Sequence, residues 1–393
     1  MILSQISYLD CIVFLIFLAP QLLLKVGIFD LAAWLLPAIP HLAILVPYQF
    51  FHERYLTPFK SRSPFVQRAT PFQDFVIRYV RYAFALMPAP IGRVFFSKPV
   101  SLPFLRWRML RHGYLRSPIA WREVNEKRFS GVWLTVNDNV EPDVAIFYLH
   151  GGGFAMGSSY FYMEFLLAWV ALLKEAGFKN PALFALEYTL VPDAVYPTQI
   201  QEAFAGYEHV LSVVKNPSRI CVGGDSAGGT LILSFLLYLA DHPQHQNRMP
   251  GLATLISPWV TLVSEKDRNT SSDYLNAETL HLYGRQYAGT KISIDDPMVS
   301  PGKEKDSRRW LRATPVHGWV ILFGKEEVLG PEIRDLIALL SSANARVKVH
   351  EEQGSIHAWP VAALYLGENR EERLKGLRDV VGAVRQRLCQ VLE

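Results

Sequence analysis

The sequence has little of what metal sites, disulfide frameworks and phosphate-binding loops require. Its 393 residues include only three cysteines, Cys11, Cys221 and Cys389, and these lie too far apart to suggest a metal site or a disulfide framework. Neither G-x-x-x-x-G-K-[ST] nor G-x-G-x-x-G occurs, so no phosphate-binding loop is indicated. No internal repeat or low-complexity tract is present. We therefore expect no metal and no cofactor.

Formal charge is scarce near the start of the chain. Residues 11–24 carry none, and residues 31–51 again carry none over 21 positions, which is about the length that spans a bilayer core. A cleaved signal peptide is a poor match, because the basic first segment is missing and the apolar stretch is too long. We predict a hydrophobic membrane anchor over residues 1–51. One span, a re-entrant hairpin, an interfacial helix or a buried core hairpin all stay open, since prolines argue against two straight helices: Pro20, Pro37, Pro40 and Pro47.

The next segment, residues 52–130, is basic and rich in aromatic residues. It has fifteen Lys and Arg against four Asp and Glu, a net charge of +11. No nucleic-acid motif accompanies this charge, so we expect no nucleic-acid partner. Next to a membrane segment, the composition favours contact with anionic headgroups. The alternative is an aromatic core with a solvated arginine face, and the two interpretations are compatible.

From about residue 131 the pattern changes to apolar strands that alternate with helices. The predicted strands are 131–136, 143–150, 181–188, 219–225, 252–257, 318–324 and 345–352. The predicted helices are 159–177, 198–214, 227–242, 331–343 and one from about residue 371. This alternation predicts an α/β domain over residues 131–393, with a mostly parallel sheet covered on both faces. In such sheets the functional residues follow the carboxyl ends of the strands.

A G-x-S-x-G motif, residues 224–228, lies between a predicted strand and a predicted helix. In this strand–turn–helix context it predicts a nucleophile elbow, in which Ser226 occupies a sharp, strained turn. The following helix would direct its free N–H groups and its positive dipole end at the site. A chance match is the alternative, and the context makes it the weaker one.

Three consecutive glycines follow His150 at the end of another strand, in FYLHGGGFAMGS (147–158). The backbone N–H groups of Gly152 and Gly153, with that of Ala227, are the predicted donors to an oxyanion. Each such donor is worth about 3–4 kcal/mol. His150 precedes the serine, whereas this fold orders its triad serine, acid, histidine. We therefore predict that His150 supports the loop by hydrogen bonding.

The acid of a triad should follow a strand beyond Ser226. Glu327 comes three residues after the predicted strand 318–324 and is our candidate, with Glu326 and Asp335 as alternatives.

The base of the triad should come after the acid. His357 lies in the turn after the last predicted strand, whereas His350 lies inside that strand and is a weaker candidate. In this arrangement His357 accepts the Ser226 proton and Glu327 fixes the tautomer of the imidazole.

These motifs resemble those of the hormone-sensitive-lipase group of α/β-hydrolases. Six stretches match in order: HGGGFAMGS (150–158), EYTLVPDAVYP (187–197), GGDSAGG (223–229), ISPWVTL (256–262), EVL (327–329) and IHAWP (356–360). Within that group the chain looks most like fungal steryl acetyl hydrolases and related membrane-anchored carboxylesterases. The resemblance implies an α/β-hydrolase fold with a helical cap over about residues 52–130. It also implies the triad and the oxyanion donors named above.

The implied activity is hydrolysis of a short-acyl ester, an acetyl ester above all, of a lipophilic alcohol such as a sterol or terpenoid. Acyl transfer by the same triad and a catalytically inactive ligand-binding protein are the alternatives, and an intact triad disfavours the second. The implied partners are a small lipophilic ester and a membrane, and the oligomeric state stays open. Two features depart from the family pattern. Glu202 replaces the usual Asp, and the apolar N-terminus is longer and richer in proline.

The resemblance also implies the endoplasmic reticulum membrane, with the catalytic domain in the lumen. The sequon at Asn269 suits that side. The basic residues after Phe51 instead favour the cytoplasmic face. The sequence leaves the side of the membrane open.

Overall fold

An eight-stranded sheet in the order β1-β2-β4-β3-β5-β6-β7-β8 forms the centre of the computed structural model, which describes residues 1–388. Cys389 and the end of the predicted catalytic domain lie outside the described residues. The strands are β1 Ala120–Asn125, β2 Ser130–Thr135, β3 Val144–Leu149, β4 Pro181–Glu187, β5 Ile220–Asp225, β6 Leu252–Ile256, β7 Trp319–Gly324 and β8 Val347–Glu352. β2 is antiparallel to β1 and β4, and the remaining pairs are parallel.

Helices begin at the N-terminus and later cover both faces of the sheet. Before the sheet they are α1 Tyr8–Lys25, α2 Ile28–Pro40, α3 Val46–Phe51, α4 Pro64–Arg68, α5 Pro71–Leu86, α6 Ala89–Phe95 and α7 Lys98–Arg111. Around the sheet they are α8 Ser159–Glu175, α9 Thr198–Val214, α10 Ala227–Asp241, α11 Ala277–Ala288, α12 Ser307–Arg312, α13 Gly330–Ser342, α14 Trp359–Leu366 and α15 Arg370–Leu388.

The central strands are apolar on both sides because each face supports a helix layer. In β3, Phe147 and Leu149 pack with α9 and α10, whereas Ile146 and Tyr148 pack with α8 on the opposite face. Every residue of β3 is fully buried. Side chains alternate across a strand, so an uninterrupted apolar run fits only a strand covered on both faces. The predicted α/β-hydrolase fold with a mostly parallel sheet is confirmed.

The sheet begins earlier than the sequence pattern indicates. β1 pairs with β2 along its whole length, so the sheet extends into the segment predicted as cap, residues 52–130. Most side chains of β1 are exposed, and only Val124 is buried. An edge strand of this kind lacks the apolar signature of a central strand, which explains why the pattern did not reveal it.

The four prolines of the N-terminal segment lie inside helices that continue past them. The second apolar helix, Ile28–Leu56, is continuous and includes wider π turns at His41–Leu45 and His52–Leu56. Proline removes a donor and crowds the preceding turn, and the first π turn separates Pro40 from Pro47. Both α1 and the second apolar helix are long and apolar enough to cross a membrane, by length and composition.

Part of the basic charge of residues 52–130 is internal. Arg78 is buried and pairs with Asp74 at 2.8 Å and Glu53 at 2.6 Å. Arg108 is fully buried and contacts Glu164 at 2.9 Å. For these two arginines the expectation of a solvated or headgroup-facing charge is wrong, because each one satisfies a buried carboxylate.

Candidate active site

Ser226 occupies the turn between β5 and α10 in a conformation that few non-glycine residues adopt. Its backbone has φ 50° and ψ −119°, as expected of a strained nucleophile elbow. The neighbouring strand β6 fixes the turn, since the Ser226 N–H donates to Ile256 O at 3.1 Å. A Cβ at Gly228 would lie 2.0 Å from Leu149 O, so only glycine permits this approach of helix to strand.

Glu327 and His357 form a hydrogen-bonded pair in the interior. His357 Nδ1 lies 2.8 Å from Glu327 Oε2, and both side chains are buried. The other oxygen, Oε1, accepts hydrogen bonds from Ser257 Oγ at 3.0 Å and Gly324 N at 2.5 Å. Ser257 Oγ also accepts the Ala358 N–H at 2.9 Å. Three hydrogen bonds thus fix the orientation of the Glu327 carboxylate. Because the carboxylate accepts a hydrogen bond from Nδ1–H of His357, the neutral imidazole keeps its acceptor lone pair on Nε2.

Burial and charge act in opposite directions on this pair. Burial lowers the pKa of His357, but the hydrogen bond and charge of Glu327, followed by the charges of Asp273 and Asp225, raise it above its ordinary value. Burial also raises the pKa of Glu327, and the hydrogen bond to His357 opposes this effect. An imidazole with a raised pKa loses its function as a base when the pH falls through that pKa.

The serine and the histidine–glutamate pair are both held by residues at the carboxyl end of β6. Ile256 holds the Ser226 backbone, and the adjacent Ser257 bonds both Glu327 and the residue after His357. Among residues 1–388 no hydrogen bond joins the Ser226 hydroxyl to His357. Such bonds are commonly long before substrate binds.

Three backbone N–H groups, in the glycine loop after β3 and at the start of α10, have no protein acceptor among residues 1–388. Gly152 has φ 113°, and a Cβ there would lie 2.1 Å from Met156 O, so this position requires glycine. Within residues 1–388 no protein acceptor takes the N–H groups of Gly152, Gly153 and Ala227. These are the three donors predicted for an oxyanion.

Asp225, which the sequence analysis did not single out, binds the glycine loop after β3. Its carboxylate accepts Tyr148 Oη and Tyr162 Oη at 2.6 Å each, and the Gly151 N–H at 2.8 Å. Burial raises its pKa, and the hydrogen bonds of the two tyrosines oppose this. The sequence offered one indication of this role, because Asp225 directly precedes Ser226 in the elbow motif.

Asp273 is a second buried carboxylate that the sequence analysis missed. It accepts the backbone N–H of His357 at 3.0 Å, Tyr274 at 2.9 Å and Val328 at 2.8 Å. It therefore joins the loop of the acid to the loop of the histidine. Arg81 of α5 donates to the Asp273 carbonyl at 2.8 Å. No motif surrounds Asp273 in the sequence, so only the fold reveals this contact.

The alternative acids and base lie in other contacts. Asp335 forms a half-exposed ion pair with Lys266. His350 bonds Glu352 at 2.7 Å, and its other ring nitrogen lies 2.7 Å from Asp379. Glu326 directly precedes the acid, and its carbonyl accepts Thr270 Oγ1 at 3.1 Å.

His150 contacts the glycine loop and does not belong to the proposed triad. Its Nδ1 is 2.7 Å from Gly151 O, and its ring stacks on Tyr188 at 4.4 Å. Burial lowers its pKa to about 4, so the ring is neutral at physiological pH. Glu202, the departure noted above, accepts the Thr189 N–H at 2.8 Å and supports the loop after β4. The described part of the chain contains no group of three or more metal-ligating side chains.

Comparison with known proteins agrees with this architecture. The sequence model of a family with the α/β-hydrolase fold matches residues 146–361, more than half of the chain, and the chain belongs to that family. A crystal structure of an esterase from the bacterial hormone-sensitive lipase family superimposes with a TM-score of 0.63 at 22% identity, covering 81% of this chain and 99% of that one. The predicted membership of the hormone-sensitive-lipase group is confirmed.

Two curated relatives match over about half of the sequence. A Schizosaccharomyces pombe protein, named as a candidate steryl acetyl hydrolase, is 30% identical over 220 residues, covering 53% of this chain and 57% of the relative. Steryl acetyl hydrolase 1 of Saccharomyces cerevisiae is 26% identical over 221 residues, covering 53% and 50%. The chain thus spans about half the length of these relatives.

Proposed function

We propose that the protein is a serine esterase in which Ser226 is the nucleophile, His357 the general base and Glu327 the acid that orients it. The observation that carries the proposal is the buried 2.8 Å contact between Glu327 and His357. It lies at the carboxyl end of the sheet, where Ser226 occupies its strained elbow after β5. The named activities of the relatives support the same class of reaction.

The reaction follows from the donors and acceptors of the site. His357 Nε2 takes the Ser226 proton as the hydroxyl oxygen attacks the ester carbonyl, and the negative charge develops on the carbonyl oxygen. The N–H groups of Gly152, Gly153 and Ala227 stabilise that charge. His357 then protonates the leaving alcohol, and water releases the acyl group by the reverse sequence of proton transfers.

We further propose that the substrate is a short-acyl ester, an acetyl ester in particular, of a lipophilic alcohol such as a sterol. Tyr283 lies over the glycine loop, with its ring 3.0 Å from where a Cβ of Gly153 would be, which favours a small acyl group. Tyr274 packs edge-on to His357 at 5.8 Å, and Phe84 of α5 packs on Tyr274 at 5.0 Å. This aromatic path favours an apolar alcohol.

The N-terminal helices support association with a membrane, and we propose the endoplasmic reticulum. Residues 1–51 would serve as the anchor, and residues 52–130 would contribute the helical cap. Because a lipophilic ester partitions into the bilayer, such an anchor would bring the site to its substrate.

The test is hydrolysis of p-nitrophenyl acetate, butyrate and decanoate by the detergent-solubilised protein. Ser226→Ala should lower kcat/KM by at least about a thousandfold, whereas the control Ser212→Ala, at an exposed serine of α9, should leave it unchanged. Faster turnover of acetate than decanoate would support the short-acyl pocket. Equal activity of Ser226→Ala and the unmodified protein would refute the proposed nucleophile.

A further inference from the structure

The first apolar helix lies along the body of the protein. α1 runs antiparallel to α7, with Phe14 packed on Phe104 at 5.1 Å and Leu18 in one buried cluster with Val100. Near its start, Asp10 contacts the buried Arg108 at 3.2 Å. The contacts continue from the first turns of α1 to its later turns, so the helix is attached side-on.

The second apolar helix is attached in the same way to α5. Three contacts join the helices along their length: Trp34 Nε1 to Leu86 O at 3.2 Å, Tyr79 Oη to Leu42 O at 3.0 Å, and Phe50 to Phe75 at 5.5 Å between ring centroids. The pairing is antiparallel from Trp34 to Phe50 of the second apolar helix. The axis of the second apolar helix therefore lies alongside that of α5, and any tilt of one helix relative to a membrane applies to both.

The helices α5 and α7 are fixed to the catalytic body. Arg81 donates to the Asp273 carbonyl at 2.8 Å, and Arg108 contacts Glu164 of α8 at 2.9 Å. If the second apolar helix crossed a bilayer, α5 would be carried into the hydrocarbon with its buried Asp74 and Arg78. Charged groups at that depth are strongly unfavourable.

Both apolar helices expose many apolar side chains, which together we call the apolar surface. Six of its residues are each at least 55% exposed: Ile12, Ile16, Leu24, Phe29, Leu36 and Ile44. Residues 31–51 carry no formal charge. Exposed Lys25 ends α1, exposed Asp30 lies in the first turn of the second apolar helix, and exposed Lys60 follows that helix. The uncharged stretch complements the acyl region of one leaflet, and the exposed lysines complement its anionic headgroups.

We propose that α1 and the second apolar helix lie in the plane of the membrane, within one leaflet, and do not span it. This inference builds on the proposed membrane association and specifies its geometry. The surface connects through α5 to Phe84, Tyr274 and His357, in ring contacts of 5.0 and 5.8 Å. Aromatic side chains thus lie between the helix that carries the second apolar helix and the proposed site.

The test uses single-cysteine variants of the full chain in sealed vesicles, in a background with the three native cysteines replaced by serine. Ser4→Cys, Asp30→Cys and Lys60→Cys are labelled with a membrane-impermeant maleimide, before and after permeabilisation. The in-plane arrangement predicts that all three positions are labelled from the same side. If the cysteine at position 30 is labelled from one side and those at positions 4 and 60 from the other, both helices span the membrane. If the cysteines at positions 4 and 60 are labelled from opposite sides, one helix spans it. Either pattern overturns the inference.

Flotation with phosphatidylcholine–phosphatidylserine vesicles distinguishes failure of the inference from failure of the proposed association. Leu36→Glu and Ile44→Glu should each lower the vesicle-bound fraction at least tenfold. Leu115→Glu, at a site 88% exposed outside the apolar surface, is the control and should not. An unmodified protein that does not float would refute the membrane association itself. Flotation combined with a spanning label pattern would refute only the in-plane geometry.

Discussion

Replacing Asp273 by asparagine removes one charge from the buried contact between the loops of Glu327 and His357. The carboxylate accepts three backbone N–H groups, with Oδ1 receiving those of His357 and Tyr274, and Oδ2 that of Val328. Asparagine keeps only one acceptor oxygen, so at least one buried N–H would face an NH₂ group. Loss of a charge-assisted bond and an unsatisfied donor together should cost about 2–5 kcal/mol of stability.

The same substitution should also shift the pH dependence of activity, which a purely structural defect would not do. Burial lowers the pKa of His357, and Glu327 and then Asp273 raise it. Asp273→Asn therefore lowers that pKa. Since the base must be neutral to accept the serine proton, activity is lost as the pH falls through this pKa. The acid limb of the profile should consequently move to lower pH.

The assay is kcat/KM for p-nitrophenyl acetate across the pH range, together with thermal unfolding. Glu265→Gln, at an exposed residue before the same loop, is the matched control and should leave both quantities unchanged. An acid limb that moves to higher pH, or an Asp273→Asn protein with unaltered stability and profile, would refute this role of Asp273.

Three further substitutions test other parts of the proposed site. Glu327→Gln should keep the fold but lower kcat by about 10³–10⁴-fold, because the imidazole loses its orienting carboxylate; a change of less than tenfold would count against Glu327. Gly152→Ala places a Cβ 2.1 Å from Met156 O at φ 113°, so kcat should fall at least a hundredfold and the melting temperature should drop. Near-normal kinetics would instead show that the glycine loop is not needed for catalysis. Asn269 lies on an exposed stretch, and a glycosidase-sensitive mobility shift that Asn269→Gln abolishes is expected if the catalytic domain is lumenal; a shift that persists in the variant would assign the glycan elsewhere.

The sequence predicts the central sheet well because its strands carry strong local signals. β3 and β5 are short, uninterrupted apolar runs that end at chemically distinctive motifs, and their predicted bounds differ from the observed ones by one residue at most. β1 escapes prediction because an exposed edge strand needs only one partner and no apolar face. The turn chemistry around Ser226 is equally local, since glycine is required where helix and strand approach closely.

What the sequence could not predict depends on contacts between distant residues. Asp273 reaches His357 across 84 positions, and its own neighbourhood is an ordinary polar loop. The course of the second apolar helix is similar, because its attachment to α5 follows from packing and not from the proline pattern. Arg78 and Arg108 likewise look like surface charge until the fold supplies their carboxylate partners.

The central claim is that Ser226 is the nucleophile, and trapping the nucleophile covalently tests it most directly. The full-length protein would be treated with a fluorophosphonate, and the modified peptide identified by mass spectrometry while residual esterase activity is followed. We predict one adduct, on Ser226, formed in proportion to the loss of activity and absent from Ser226→Ala. An adduct on a different residue, or continued ester hydrolysis after Ser226 is fully modified, would contradict the account.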